Sequence, residues 1–124
     1  MGSELARAVQ RGEGGPTKII GLFDEYAPGR KALAEELGRN QEPAPVEADT
    51  VAELIGLTGM QLIVECASQA AVTAHAEAVL TAGKSMLVMS SGALVSADFM
   101  RKVMSAAEAS DASIYVPSGA VGGI

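Results

Sequence analysis

The strongest constraint on how this chain folds is the alternation of short apolar runs with helical patterns. Residues 19–23, 62–64, 86–89 and 114–116 are apolar and partly β-branched, each of the length of a short buried strand. The segments between them carry a different period. Leu33 and Leu37 stand at i,i+4 in the segment 29–37, with Gly38 as a stop. Thr50 and Glu53 have capping-box spacing at the head of the segment 50–57, whose apolar stripe is Val51, Leu54 and Ile55. Ser68 is placed to cap a helix with Ala71, Val72, Ala76, Val79 and Leu80 on one face, ended by Ala82-Gly83. Ser96 is placed to cap the segment 97–109, in which Phe99, Val103 and Ala107 align. The stretch 40–49, rich in Pro, Glu and Ala, reads as a loop with a marginal strand near Val46.

Strands that are apolar on both faces and alternate with helices predict a parallel sheet with helices packed on both sides. The expected class is therefore α/β, a Rossmann-type doubly wound sheet, in one domain covering residues 1–124 with no internal linker. A helical pattern (Leu5, Ala8, Val9) begins close to residue 2 with no strand before it. The expectation is a sheet lacking its first, central strand, with an apolar groove left open in its place. The run Gly122-Gly123-Ile124 stops where a further element should begin, so the chain reads as a partial domain reaching the junction to an absent second, substrate domain.

The balance of 48% hydrophobic to 19% charged residues is that of a globular domain with a real core. A net charge of -6, with nine Lys and Arg scattered along the chain, argues against a surface for nucleic-acid phosphates and favours small-molecule partners. Cys66 is the only cysteine and His75 the only histidine, which excludes an intrachain disulfide framework and a Cys/His metal site. Charge near the start, in place of a long apolar stretch, is unlike a signal peptide, and no apolar run reaches membrane-spanning length, so a cytoplasmic location is expected. Met86, Met89, Met100 and Met104 read as gap-filling core residues.

In open α/β sheets ligands bind beyond the carboxyl ends of the strands. The four expected strand ends are followed by Asp24, by Glu65-Cys66-Ala67-Ser68, by Ser90-Ser91-Gly92-Ala93 and by Pro117-Ser118-Gly119-Ala120. Small residues at three of them let a flat ligand approach the backbone, which is how a dinucleotide site is laid out. Asp24 lies about twenty residues beyond Gly2, the spacing between the third glycine of a GxGxxG turn and the carboxylate that binds the adenosine ribose. The alternative is that Asp24 opens a turn and Gly2 is a start-site residue. A carboxylate at Asp24 repels a 2′-phosphate and favours NAD, whereas Arg30 is close enough in sequence to reach a phosphate and soften that preference. Cys66 has no base partner in view, so a structural or cofactor-lining role is favoured over a nucleophile. His75, amid Ala and Val on a packing helix, reads as a satisfied histidine rather than a proton shuttle. The run 118–123 offers backbone N–H groups to an anion or to a nicotinamide, or else is a plain glycine turn.

Val64-Glu65-Cys66-Ala67-Ser68 before an Ala-rich helix, together with residues 117–124, resembles L-aspartate dehydrogenase. Gly2-Ser3-Glu4-Leu5 resembles the end of that family's glycine-rich turn, and Ser90-Ser91-Gly92-Ala93-Leu94 its segment after the next strand. The general βα pattern also suits the cofactor domains of homoserine dehydrogenase and dihydrodipicolinate reductase, or a non-catalytic nucleotide-binding remnant. The resemblance implies oxidative deamination of L-aspartate to iminoaspartate with NAD or NADP, as an entry to NAD biosynthesis, by a full-length homodimer. It implies that Gly2 and Asp24 hold the pyrophosphate and ribose, that Cys66, Ala67 and Ser68 line the cofactor, and that Ala120, following Ser118 and Gly119, meets the nicotinamide end. It also implies that the catalytic histidine lies in the absent domain, so no catalytic residue is expected here and the fragment alone is expected to be inactive.

Overall fold

The structure, a computed structural model, describes residues 2–13, 15 and 17–117. The residues group into two compact units, Met1–Gly59 and Met60–Ile124.

The first unit contains α1 (Gly2–Gln10), β1 (Gly21–Leu22), α2 (Ala27–Gly38), β2 (Val46–Glu47) and α3 (Val51–Ile55). β1 and β2 pair in parallel, Gly21 opposite Val46 and Leu22 opposite Glu47. Both strands are two residues long, shorter than the apolar run at 19–23. Pro43 and Pro45 lack the N–H that a ladder needs, and Thr50 already turns the chain into α3, so β2 has little backbone with which to extend the pairing. Gly21 lets the Leu54 and Leu57 side chains lie close against β1, since a Cβ there would collide with both. Pro28 sits in the first turn of α2, where no N–H is required. Two side-chain links join α1 to α2: Arg7 donates to both carboxylate oxygens of Glu36 (2.6 and 3.0 Å), and Gln10 Nε2 donates to the Leu37 carbonyl (2.7 Å).

The second unit contains β3 (Leu62–Glu65), α4 (Gln69–Thr81), β4 (Ser85–Val88), a 3₁₀ helix (Ser91–Val95), α5 (Ala97–Ala109) and β5 (Ile114–Tyr115). Its sheet has the order β3-β4-β5, parallel throughout, with Val64 opposite Leu87 and Leu87 opposite Tyr115. The sequence stops and caps operate as expected. Ser68 Oγ accepts from Ala71 N (3.1 Å) and Ser96 Oγ from Phe99 N (3.3 Å). Gly83 takes φ +81 after α4, the left-handed conformation that glycine supplies without a Cβ penalty. α4 packs on β3 and β4, and α5 packs on α4 and the 3₁₀ helix. Val72, Ala76, Val79 and Leu80 of α4, Met86 and Val88 of β4, and Val103 of α5 are buried. Burying each Val or Leu among them is worth about 1.5–3 kcal/mol relative to exposure.

Parallel strands joined by helices give the Rossmann-type α/β class. Among the described residues the strands form two sheets, β1-β2 and β3-β4-β5, in keeping with a sheet that lacks its central strand. Two expectations are corrected. β3 is not buried on both faces: Ile63 and Glu65 are buried, while Leu62 and Val64 are 43% and 38% exposed. Met104 is exposed on α5 rather than in the core, and the methionine that does fill the core beside Met86 is Met60.

Candidate functional site

In the first unit the carboxyl end of β1 leads to Asp24. Its Oδ1 accepts from Tyr26 N at 2.8 Å, so the side chain closes the turn into α2. That is the turn-opening role weighed from the sequence, and it leaves Oδ2 uncommitted among the described residues. The Arg30 guanidinium, on the first turns of α2, reaches back to the same strand ends. Nη1 donates to the Asp24 carbonyl (3.3 Å), Nε to Glu47 Oε1 (3.4 Å) and Nη2 to Asp49 Oδ1 (3.0 Å). Asp49 N donates to Glu53 Oε2 (2.9 Å), and Glu53 N to Thr50 Oγ1 (3.1 Å). The capping-box residues thus fix the turn after β2, with Glu53 reaching one residue further back than the usual box. Gly2 is the first residue of α1.

In the second unit β3 and β4 end side by side, Glu65 opposite Val88, so Cys66-Ala67-Ser68 and Ser90-Ser91 emerge at the same end of the sheet. Glu65 ties the two ends together. Its Oε1 accepts from Met89 N (3.0 Å) and from Ser90 N (2.8 Å), while Met89 N also donates to the Glu65 carbonyl (3.1 Å). The residue is 6% exposed, and its second oxygen, Oε2, is buried with no hydrogen-bond partner among the described residues. A carboxylate at the end of an apolar strand was visible in the sequence, but its partners lie just beyond the next strand, about 24 residues on, and no local pattern reveals them. Ser68 spends its hydroxyl as the cap of α4. The segment after β4 is a 3₁₀ helix that the sequence reading missed; it begins at Ser91, which is buried.

Cys66 is half-buried. Burial, and after it the negative charge of Glu65, push its thiol up from the ordinary value, which keeps it neutral near pH 7. A neutral thiol beside a carboxylate suits a lining residue and not a nucleophile. Ser118, Gly119 and Ala120 lie outside the described residues. Among the described residues no group of His, Cys, Asp and Glu is placed to hold a metal ion, and no helix is long and apolar enough to cross a membrane.

The residues fit a nicotinamide dinucleotide. Small residues flank the ends of β3 and β4, which leaves room for a flat ligand against the backbone, and Glu65 Oε2 is a buried acceptor with no partner among the described residues. Parallel strands, helical crossovers and such strand ends define the class of Rossmann-type nucleotide-binding domains. Residues 1–117 match the family described as "Homoserine dehydrogenase, NAD binding domain", and the chain belongs to it. The resemblance to L-aspartate dehydrogenases is also borne out. The chain is 32% identical over 124 residues to the L-aspartate dehydrogenase of Methanocella arvoryzae, covering 100% of this chain and 43% of that protein. It is 44% identical over 85 residues to L-aspartate dehydrogenase 2 of Bordetella pertussis, covering 64% of this chain and 32% of that one. The crystal structure of aspartate dehydrogenase from Thermotoga maritima shares the fold, with a TM-score of 0.59 at 24% identity over 86% of this chain and 48% of that chain. The chain spans less than half the length of these relatives.

Proposed function

We propose that this chain is the cofactor-binding portion of an NAD(P)-dependent L-aspartate dehydrogenase, which converts L-aspartate to iminoaspartate. The observation that carries this reading is the similarity to L-aspartate dehydrogenases along the whole chain. When bound, the nicotinamide would take the α-hydrogen of aspartate as hydride; the protein's share is positioning and electrostatics. Asp24 would accept from the adenosine ribose hydroxyls and Gly2 would lie against the pyrophosphate. Cys66, Ala67, Ser68, Ser90 and Ser91 would line the cofactor, with Glu65 holding the Ser90 backbone in place. Ser118, Gly119 and Ala120 would meet its nicotinamide end. In this reading the chain is a partial domain, inactive alone, of a cytoplasmic homodimer that serves NAD biosynthesis and whose catalytic histidine lies in a second domain.

A second reading is the cofactor domain of a homoserine dehydrogenase, favoured by the description of the matching family. One assay separates the two. The purified product of the full reading frame that contains this chain is mixed with NAD+ or NADP+, and absorbance at 340 nm is followed with L-aspartate or with L-homoserine. Reduction dependent on aspartate alone is the expected result; reduction dependent on homoserine would transfer the chain to the second reading. The 124-residue chain by itself is expected to bind NADH weakly and to reduce neither cofactor.

A further inference from the structure

The sequence left open whether Arg30 serves a 2′-phosphate, and the structure shows the guanidinium already engaged. Its side chain is only 11% exposed, and each of its three nitrogens has an acceptor: the Glu47 carboxylate, the Asp49 carboxylate and the Asp24 carbonyl. A guanidinium binds a phosphate by presenting two parallel N–H groups to it. Here a phosphate would have to displace two carboxylates to obtain that pair. It would also meet one cation among three carboxylates, Asp24, Glu47 and Asp49, so the field at these strand ends is set against a further dianion.

We propose that Glu47 and Asp49, by occupying Arg30, set the cofactor choice of this site in favour of NAD, and that removing the two carboxylates turns Arg30 into an anchor for the 2′-phosphate of NADP. The proposal rests on the reading above that Asp24, at the end of β1, receives the adenosine ribose. The two carboxylates are not equivalent. The Glu47 side chain is 35% exposed and that of Asp49 is 78% exposed, so water and salt screen Asp49 more and Glu47 carries the larger share.

The test is a titration of the 15N-labelled chain with NADH and with NADPH, followed by NMR so that weak affinities are measured. Wild type, Glu47→Gln, Asp49→Asn, the double variant, and the double variant with Arg30→Gln are compared. Both carboxylates are replaced by isosteric amides, and a thermal melt of each protein checks that it folds. In the wild type NADH is expected to bind more tightly than NADPH. The double variant should shift the ratio of the two affinities toward NADPH by about tenfold, with Glu47→Gln giving more of the shift than Asp49→Asn, and Arg30→Gln should abolish the gain. An unchanged ratio in the double variant, with NADH still bound, overturns the proposal and leaves the functional reading standing. A gain that survives Arg30→Gln overturns it as well, since repulsion alone would then account for the selectivity. A wild-type chain that folds but binds neither nucleotide removes this proposal, since it then holds no ribose site whose choice could be set, and leaves the functional reading to the aspartate assay above.

Discussion

At the scale of single residues, Glu65 is the group on which most local geometry depends. Met89 N has two acceptors, the Glu65 carbonyl and Oε1, whereas among the described residues the only acceptor for Ser90 N is Oε1. Glu65→Ala should therefore speed amide hydrogen exchange at Ser90 much more than at Met89. It should cost about 1–3 kcal/mol in a denaturant melt, the penalty for a buried donor left unpaired. Equal acceleration at both amides would mean that the ladder, not the carboxylate, fixes the start of the 3₁₀ helix. The same carboxylate acts on Cys66, though less than burial does. For a thiol whose folded value is raised, the stabilising neutral form is fully present below the unfolded value and is lost as pH rises through the folded one. Alkylation of Cys66 by iodoacetamide should accordingly be slower than that of free cysteine at pH 8, and should rise only at more alkaline pH. Glu65→Gln should move that profile toward lower pH, and a profile matching free cysteine would refute the assignment. None of this was legible from residue types alone. Cys66 was singled out because of its position after a strand, but its protonation depends on burial and on a neighbour, and both are set by packing.

At the scale of elements, the second unit is organised by α4. Its sequence specifies both ends, Ser68 as the cap and Ala82-Gly83 as the stop, and its buried face carries Val72, Ala76, Val79 and Leu80. The two kinds of information differ in weight. Ser68→Ala removes one side-chain hydrogen bond at a helix terminus and should cost about 1 kcal/mol. Leu80→Ala opens a cavity beneath a fully buried side chain and should cost about 2–5 kcal/mol. Urea melts of the two variants against the parent check both the values and their order; a cap variant as damaging as the core variant would mean that Ser68 does more than end the helix. The elements hardest to read were those with the least local signal. β2 is two exposed residues between prolines and a cap, and it is a strand only because Ile20 and Leu22 offer carbonyls that accept from Val46 N and Ala48 N. The 3₁₀ helix at Ser91–Val95 has no apolar period to announce it.

At the scale of the whole molecule, the consequence that stands out is apolar surface left uncovered on the three-stranded sheet. Val64, Leu87 and Tyr115 lie opposite one another across β3, β4 and β5, and Leu62 continues the row along β3. Leu62, Val64 and Tyr115 are exposed, and β3 pairs along one edge only among the described residues. An apolar face beside an open strand edge invites association. Sedimentation of the chain at increasing concentration should show self-association that the double variant Leu62→Lys/Val64→Lys reduces, with little change in its melt; a wild type that stays monomeric at high concentration would contradict this. The sequence by itself determined the order of strands and helices, three helix caps and the glycine stop after α4, because these follow from the period of apolar residues and from hydrogen bonds that span a few positions. It also carried enough of the strand-end motifs to place the chain near L-aspartate dehydrogenases. Only the tertiary structure decided that the strands pair as two sheets, that one face of β3 is uncovered, that Glu65 holds Ser90, and that Arg30 is taken by Glu47 and Asp49. Those outcomes rest on contacts between residues about 17 to 28 positions apart, and such contacts are fixed by packing rather than by any local pattern.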